Sequence, residues 1–234
     1  PTHLQVNCQN LCHNYLALKD FVGGRQVMAI LKANAYGHGV IEVAHALESV
    51  NADYFGVAYV EEGCMLRRAG IQTPILVLGG IIGDQIPLFL RENLDITASS
   101  IDKLKAIDAC AGALGIRARV HLKIDTGMER IGVHGYNAEG LLSESVRCKN
   151  TEIVGIFSHF ATADHDDTHF AKLQLDRFQK VLNWYTEHGL NRPMVHMANS
   201  AAMIKFPESI FDMVRPGIAL YGAPPVKTSL LLKP

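Results

Sequence analysis

Apolar residues recur along this chain as short continuous runs separated by longer stretches with helical spacing. In the first stretch, residues 10–21, Leu11, Tyr15, Leu18 and Phe21 stand three or four apart and share one helix face. Gly23-Gly24 closes it. Residues 27–31 (Val-Met-Ala-Ile-Leu) are apolar without a break, as a strand covered on both faces of a parallel sheet must be. The alternation then repeats. Residues 54–58, 75–78, 95–98, 118–124, 153–157, 194–197 and 212–214 read as strands. Helical spacing occupies 40–50, 60–69, 84–92, the stretch after Ser99 or Ser100 to about 112, 138–147, 168–188 and 200–205. Either serine can cap its helix by accepting from first-turn amides.

Eight strand-like runs in 234 residues give about 29 residues per unit, enough for a strand, a helix and two loops. Eight βα units predict a closed (β/α)8 TIM barrel with an N-terminal helix before the first strand. An open doubly wound sheet shares the local pattern, but no GxGxxG follows the first strand, which favours the barrel. No linker or low-complexity tract divides residues 1–224, so one domain is expected there.

Composition narrows the function classes. The chain is 48% hydrophobic and 19% charged, which argues against intrinsic disorder. Its formal net charge of −1 gives no basis for bulk binding to nucleic acid or anionic membrane. No apolar run reaches the roughly 18 residues of a membrane helix. The N-terminal Pro1-Thr2-His3-Leu4-Gln5 does not read as a leader. Five cysteines without a CxxC pair read as free thiols of a reducing cytoplasm.

In a parallel barrel, chemistry gathers where the strands end. Lys32 follows the first strand, where a lysine ammonium is costly to desolvate. It reads either as a side chain reaching out to water or as an amine of lowered pKa, ready to form a Schiff base with an aldehyde. Lys123, Asp125 and Arg130 follow the fifth strand, Ser158 and His159 the sixth, His196, Asn199 and Ser200 the seventh, and Arg215, Gly217 and Ile218 the eighth. Five strands delivering polar groups to one edge predict a composite site. Ser200, expected at a helix start, and Gly217, open to close approach, suit a phosphate, with Tyr36 and Ser200 as hydroxyl donors.

These residues carry a family resemblance. Lys32-Ala33-Asn34-Ala35-Tyr36-Gly37-His38-Gly39 resembles the pyridoxal-phosphate attachment motif of alanine racemases. The likeness continues in Lys123-Ile124-Asp125-Thr126-Gly127-Met128-Glu129-Arg130, in Ser158-His159-Phe160, in His196-Met197-Ala198-Asn199-Ser200 and in Arg215-Pro216-Gly217-Ile218. It implies a fold-type III barrel binding pyridoxal 5′-phosphate, with Lys32, Arg130 and His159 as catalytic residues. Lys32, Tyr36, His159, Asn199, Ser200, Arg215, Gly217 and Ile218 would bind the cofactor, Arg215 at its pyridine nitrogen. Lys123 matches a lysine that is carbamylated in many members. No metal is implied. The implied reaction interconverts L- and D-alanine for peptidoglycan synthesis in the cytoplasm, in a homodimer without nucleic-acid or membrane partners. The family's second proton-transfer group is a tyrosine from a C-terminal β-domain of the partner subunit. Residues 225–234 are therefore expected to begin a linker to that domain.

Other readings stay open at this level. They are a stand-alone pyridoxal-phosphate barrel without turnover, a serine-preferring racemase and a fold-related decarboxylase. A metal-dependent hydrolase would draw on Asp164-His165-Asp166-Asp167-Thr168-His169 among the 11 histidines, but this spacing fits no standard zinc signature and is better read as a polar loop that caps the helix after Thr168.

Overall fold

A computed structural model describes residues 5–234; Pro1–Leu4, part of the run read for a leader, lie outside the described residues. The strands are β1 (Gln26–Ile30), β2 (Tyr54–Val57), β3 (Ile75–Val77), β4 (Asp95–Ala98), β5 (Ala118–Asp125), β6 (Val133–His134), β7 (Thr151–Phe157), β8 (Met194–His196) and β9 (Met213–Val214). Eight of them pair in parallel around a closed ring, in which β4 meets β5 and β9 meets β1. The expected eight-stranded barrel is therefore present. β6 is an addition: two residues pair with the end of β5 as a side ladder, too short to show as a periodic pattern.

Helices α1 (Cys8–Phe21), α3 (Val40–Glu48), α4 (Val60–Arg68), α5 (Ile86–Arg91), α6 (Ile101–Leu114), α7 (Ala138–Arg147) and α8 (His169–Glu187) alternate with the strands. Between them, α2 (Lys32–Tyr36) is a single turn and α9 (Ala202–Lys205) a short one. Asn7 starts α1 by accepting from the amides of Gln9 and Asn10. Ser100, not Ser99, caps α6 by accepting from Lys103. Ahead of α8, Thr168 stands at the N-cap without a side-chain bond, while the Asp167 carboxylate accepts from the His169 amide.

Successive strand residues face opposite sides, and this sorts the apolar residues into two cores. Val27, Ala29, Phe55, Val57, Ile75, Val77, Val120 and Leu122 pack outward against the helices. Met28, Ile30, Tyr54, Leu76, Phe157 and Met213 pack against one another inside the ring. The same alternation sends His121 and Lys123 inward while Val120, Leu122 and Ile124 join the outer core. Inside the barrel His121 needs space. The β5–β7 register slips between Val120 and His121, so that His121 faces Gly155 after Val120 faces Ile153. A Cβ on Gly155 would stand 2.1 Å from His121 Nδ1. Only glycine fits there.

Residues 225–234 have no regular secondary structure. The end of this stretch lies against α1, where Asn14 donates to the Lys233 carbonyl at 2.8 Å and accepts from the Lys233 amide at 2.7 Å. All five cysteines are free thiols.

Candidate active site

A cavity of about 590 Å³ opens at the ends of the barrel strands. Lys32, Tyr36, Lys123, Arg130, His159, Asn199, Ser200, Arg215, Gly217 and Ile218 all line it, although they come from five separate stretches of chain. Lys32, Lys123, Arg130 and Arg215 give it four cationic side chains against one carboxylate, Asp164. Such a lining selects an anionic ligand.

Lys32 heads a turn that the sequence does not announce. Ala33, Asn34, Ala35 and Tyr36 all have φ of 53–55°, so α2 winds left-handed. Each non-glycine residue there costs about 1–2 kcal/mol, and outside contacts hold the turn closed. Glu62 accepts from the Ala33 amide at 2.7 Å with one oxygen and from the Ala58 amide at 2.7 Å with the other. Asn34 Oδ1 accepts from the Val40 amide at 2.9 Å. Sequence reasoning missed Glu62; its only signal is its place in the first turn of α4. The exposed Ala33 provides a test. Ala33→Gly removes the left-handed penalty but adds freedom to the unfolded chain, so stability should be unchanged or up to about 1 kcal/mol higher. In an ordinary helix the same change costs about 1 kcal/mol. A fall of that size in a thermal melt would contradict the backbone described.

Burial and the neighbouring Arg130 lower the pKa of Lys32, while Glu62 opposes them. Tyr36 and Tyr221 pack with ring centroids 5.0 Å apart and planes tilted by 38°, and Tyr221 donates to the Ile30 carbonyl at 2.9 Å. This brings the Tyr36 hydroxyl to Gly217, where any Cβ would stand 2.4 Å from it. Ser200 Oγ accepts from the Gly217 amide at 2.9 Å and the Ala219 amide at 3.2 Å. Its own proton is left to donate into the cavity. Asn199 lines the cavity while its side chain is engaged within its own turn. Its Oδ1 accepts from the Ala201 and Ala202 amides at 3.1 and 2.9 Å, so these amides, expected to greet a phosphate, are already capped. The helix itself starts only at Ala202.

Arg215 is buried at 4% exposure. It donates to His196 Nδ1 at 2.8 Å, the Ser158 carbonyl at 2.7 Å, the Met197 carbonyl at 3.2 Å and His159 Nδ1 at 3.2 Å. Among the described residues its Nε has no partner. Burial and Arg130 bring its pKa down to about 9, still protonated at neutral pH. His159 is pushed well below its ordinary value by burial and by Arg215, Lys123, Arg130 and Lys32, so it is a neutral imidazole.

Lys123 is buried within β5 and donates to the Ile124 carbonyl at 2.9 Å. Burial and Arg215, with a smaller push from Arg130 and against the pull of Asp125, bring its pKa down to about 7. Between that value and the ordinary one near 10.5, the unfolded chain binds a proton that the folded chain does not. Stability should therefore rise with pH through this window, by a few kcal/mol at most. Denaturant melts from pH 7 to 10 in CO2-free buffer should show the rise, and Lys123→Met should flatten it. A slope unaffected by that substitution would place the titration elsewhere.

The Asp164–His169 loop proposed for a metal does not assemble one. Among the described residues, the group of ligand-type side chains close enough to share a cation is Asp125, Glu129 and His134. There the Asp125 carboxylate already accepts from the amides of Gly127, Met128 and Arg130. No helix among the described residues is long and apolar enough to cross a membrane.

Comparison with known proteins bears on the same residues. Residues 6–225 match the family model described as alanine racemase, N-terminal domain. A curated alanine racemase of Desulforamulus reducens is 43% identical, the match taking in 100% of this chain and 65% of that protein. The chain thus spans under two thirds of that relative's length. An alanine racemase of Clostridium difficile 630 in complex with cycloserine superposes with a TM-score of 0.91 at 33% identity, over 97% of this chain and 64% of the other. The alanine racemase of Bartonella henselae, solved with covalently bound pyridoxal phosphate, superposes at 0.87 with 27% identity, over 97% of this chain and 65% of the other.

Proposed function

Since the chain belongs to the alanine racemase family, matching its N-terminal domain over nearly all its length, we propose that it binds pyridoxal 5′-phosphate and forms the cofactor half of an enzyme interconverting L- and D-alanine. One observation carries the reading. The Lys32 amine shares a cationic cavity with a buried arginine that has a spare donor, and with an edge where Gly217 leaves room for the Tyr36 hydroxyl beside that of Ser200. Those features fit the cofactor. An aldehyde would meet Lys32, a phosphate the hydroxyls of Tyr36 and Ser200 beside Gly217 and Ile218, and a ring nitrogen Arg215. Bound there, the cofactor supplies an electron sink that acidifies the Cα proton of an amino acid.

The chain's own groups do the rest. Lys32, with its lowered pKa, is suited to take and return a proton on one face of Cα. Arg215 can only donate, so it favours an unprotonated ring nitrogen and a weaker sink, which suits a reaction needing nothing beyond proton exchange. His159, a neutral imidazole in the cavity wall, would help hold the cofactor, and Arg130 would supply positive charge for its phenolic oxygen and for positioning the substrate. Asn199 shapes the phosphate edge through its cap. Lys123, with its pKa near 7, is partly free amine at neutral pH and is suited to capture CO2 as a carbamate, releasing one proton and placing a negative charge beside Arg130.

Inversion also needs a group on the opposite face of Cα. In this proposal residues 1–224 are the cofactor domain and 225–234 lead onward. The second group lies in the part of the relatives that this chain does not span, delivered by the partner subunit of a homodimer. The setting is cytoplasmic and the product serves peptidoglycan synthesis. Incubation of the chain with pyridoxal 5′-phosphate and each enantiomer of alanine in D2O tests this. One enantiomer should gain deuterium at Cα faster than it inverts, because one face has its base. Exchange no faster than with the cofactor alone would contradict the role of Lys32.

A further inference from the structure

Below the cavity, a line of polar side chains runs down the barrel interior from Arg215. Arg215 donates to His196 Nδ1, and His196 Nε2 lies 2.9 Å from His121 Nδ1. His121 Nε2 lies 3.2 Å from the Tyr54 hydroxyl and 3.4 Å from Asp95 Oδ2. Arg119 closes the line by donating to both Asp95 oxygens, at 2.9 and 3.2 Å, and Tyr54 also donates to Asp95. Both histidines are fully buried, and Asp95 is 2% exposed.

The direction of every proton in this line follows from its upper end. A guanidinium has no acceptor, so His196 Nδ1 carries no hydrogen. A buried neutral His196 then carries its proton on Nε2 and donates to His121 Nδ1. His121 in turn holds its proton on Nε2 and donates toward Tyr54 and Asp95. Burial and Arg215 hold His196 neutral, and burial lowers His121 likewise against the pull of Asp95. Asp95 remains a carboxylate: bonds from His121, Arg119 and Tyr54 outweigh the burial that would protonate it.

Arg215 has a reason to need this line. Among the described residues no carboxylate pairs with it, its other partners are two carbonyls and a neutral histidine, and Lys123 and Arg130 add positive charge to the same cavity. We infer that Asp95 is the remote counter-charge of Arg215, acting through His121 and His196 as a one-way hydrogen-bonded line. Asp95 and His121 are thus positioning residues for the cavity face that Arg215 presents. Gly155 belongs to the device, since it opens the space His121 occupies. His196 is held in plane by Phe157, whose ring stacks on it at 4.8 Å and 5°.

The test has two arms, and only the second rests on the cofactor reading. In the first, long-range 1H–15N correlation spectra of the histidine-labelled chain, without cofactor, report the tautomers of His121 and His196. Both rings should carry their proton on Nε2 throughout pH 6–8. A proton on Nδ1 of either ring, or an imidazolium, overturns the inference. In the second, Asp95→Asn removes the charge while keeping the shape. With pyridoxal 5′-phosphate its absorbance maximum should shift by several nanometres from wild type, while inorganic phosphate affinity changes less than twofold. An unshifted spectrum in a folded variant also overturns the inference. Should wild type take up no cofactor, the proposed function fails while the tautomers still decide the line. Should Asp95→Asn not fold, the wild-type tautomers decide alone.

Discussion

Lys32→Ala is expected to abolish the long-wavelength absorbance that the wild-type chain gains with pyridoxal 5′-phosphate. Two amines line the cavity, and they are not equivalent. Lys32 stands half-buried at the cavity wall with its pKa lowered by burial and Arg130, so more of it than of an ordinary lysine is the free amine, and it is open to an incoming aldehyde. Lys123 lies inside β5, bonded to the Ile124 carbonyl and 5.2 Å above the Phe157 ring. It should not substitute. Tyr36, Ser200 and Arg215 remain in the variant, so the cofactor should still bind without a covalent link. Proton exchange at Cα should fall by about 10²–10⁴-fold, the usual loss for one positioned acid or base. A visible band retained by Lys32→Ala would move the attachment elsewhere and undo the site.

Gly155→Ala should strongly destabilise the barrel. The new Cβ would sit 2.1 Å from His121 Nδ1 and 2.5 Å from Cε1. His121 is fully buried, with His196 on one side and Tyr54 and Asp95 on the other, so it has nowhere to retreat. Overpacking of this kind costs about 1–3 kcal/mol. Displacing the imidazole adds roughly 1–3 kcal/mol for each buried polar group left unpaired. A loss of about 4 kcal/mol lowers the melting temperature of a chain this size by about 10 °C. In a His121→Ala background the same methyl should cost little, because the collision is gone. Equal losses in both backgrounds would show that the methyl acts through something other than His121.

Both predictions mark where sequence reading succeeded and where it stopped. The barrel was legible because its strands are covered on both faces, so runs such as Val27–Ile30 and Ile75–Val77 stand out from their surroundings. The site was legible because strand order fixes which residues meet, and each strand end carried its own reactive group. The left-handed turn at Ala33–Tyr36 was not, since alanine and tyrosine have no local preference for that backbone; only the flanking Gly37 and Gly39 hint at a turn. That the Asn199 side chain caps the Ala201 and Ala202 amides was not legible either, because its spacing from Ser200 does not say which amides it will meet. The fit of His121 to Gly155 is invisible in sequence. They lie 34 positions apart, and the register slip that opposes them leaves no periodic trace.

The central claim is that the Lys32 amine bonds to the cofactor's aldehyde carbon inside a cavity built from several strands. Borohydride reduction of the chain after incubation with pyridoxal 5′-phosphate, followed by proteolysis and mass spectrometry, tests it most directly. The account predicts one pyridoxyl group per chain, on the peptide containing Lys32. A label on Lys123 or on surface lysines, or no stable label at all, would contradict it.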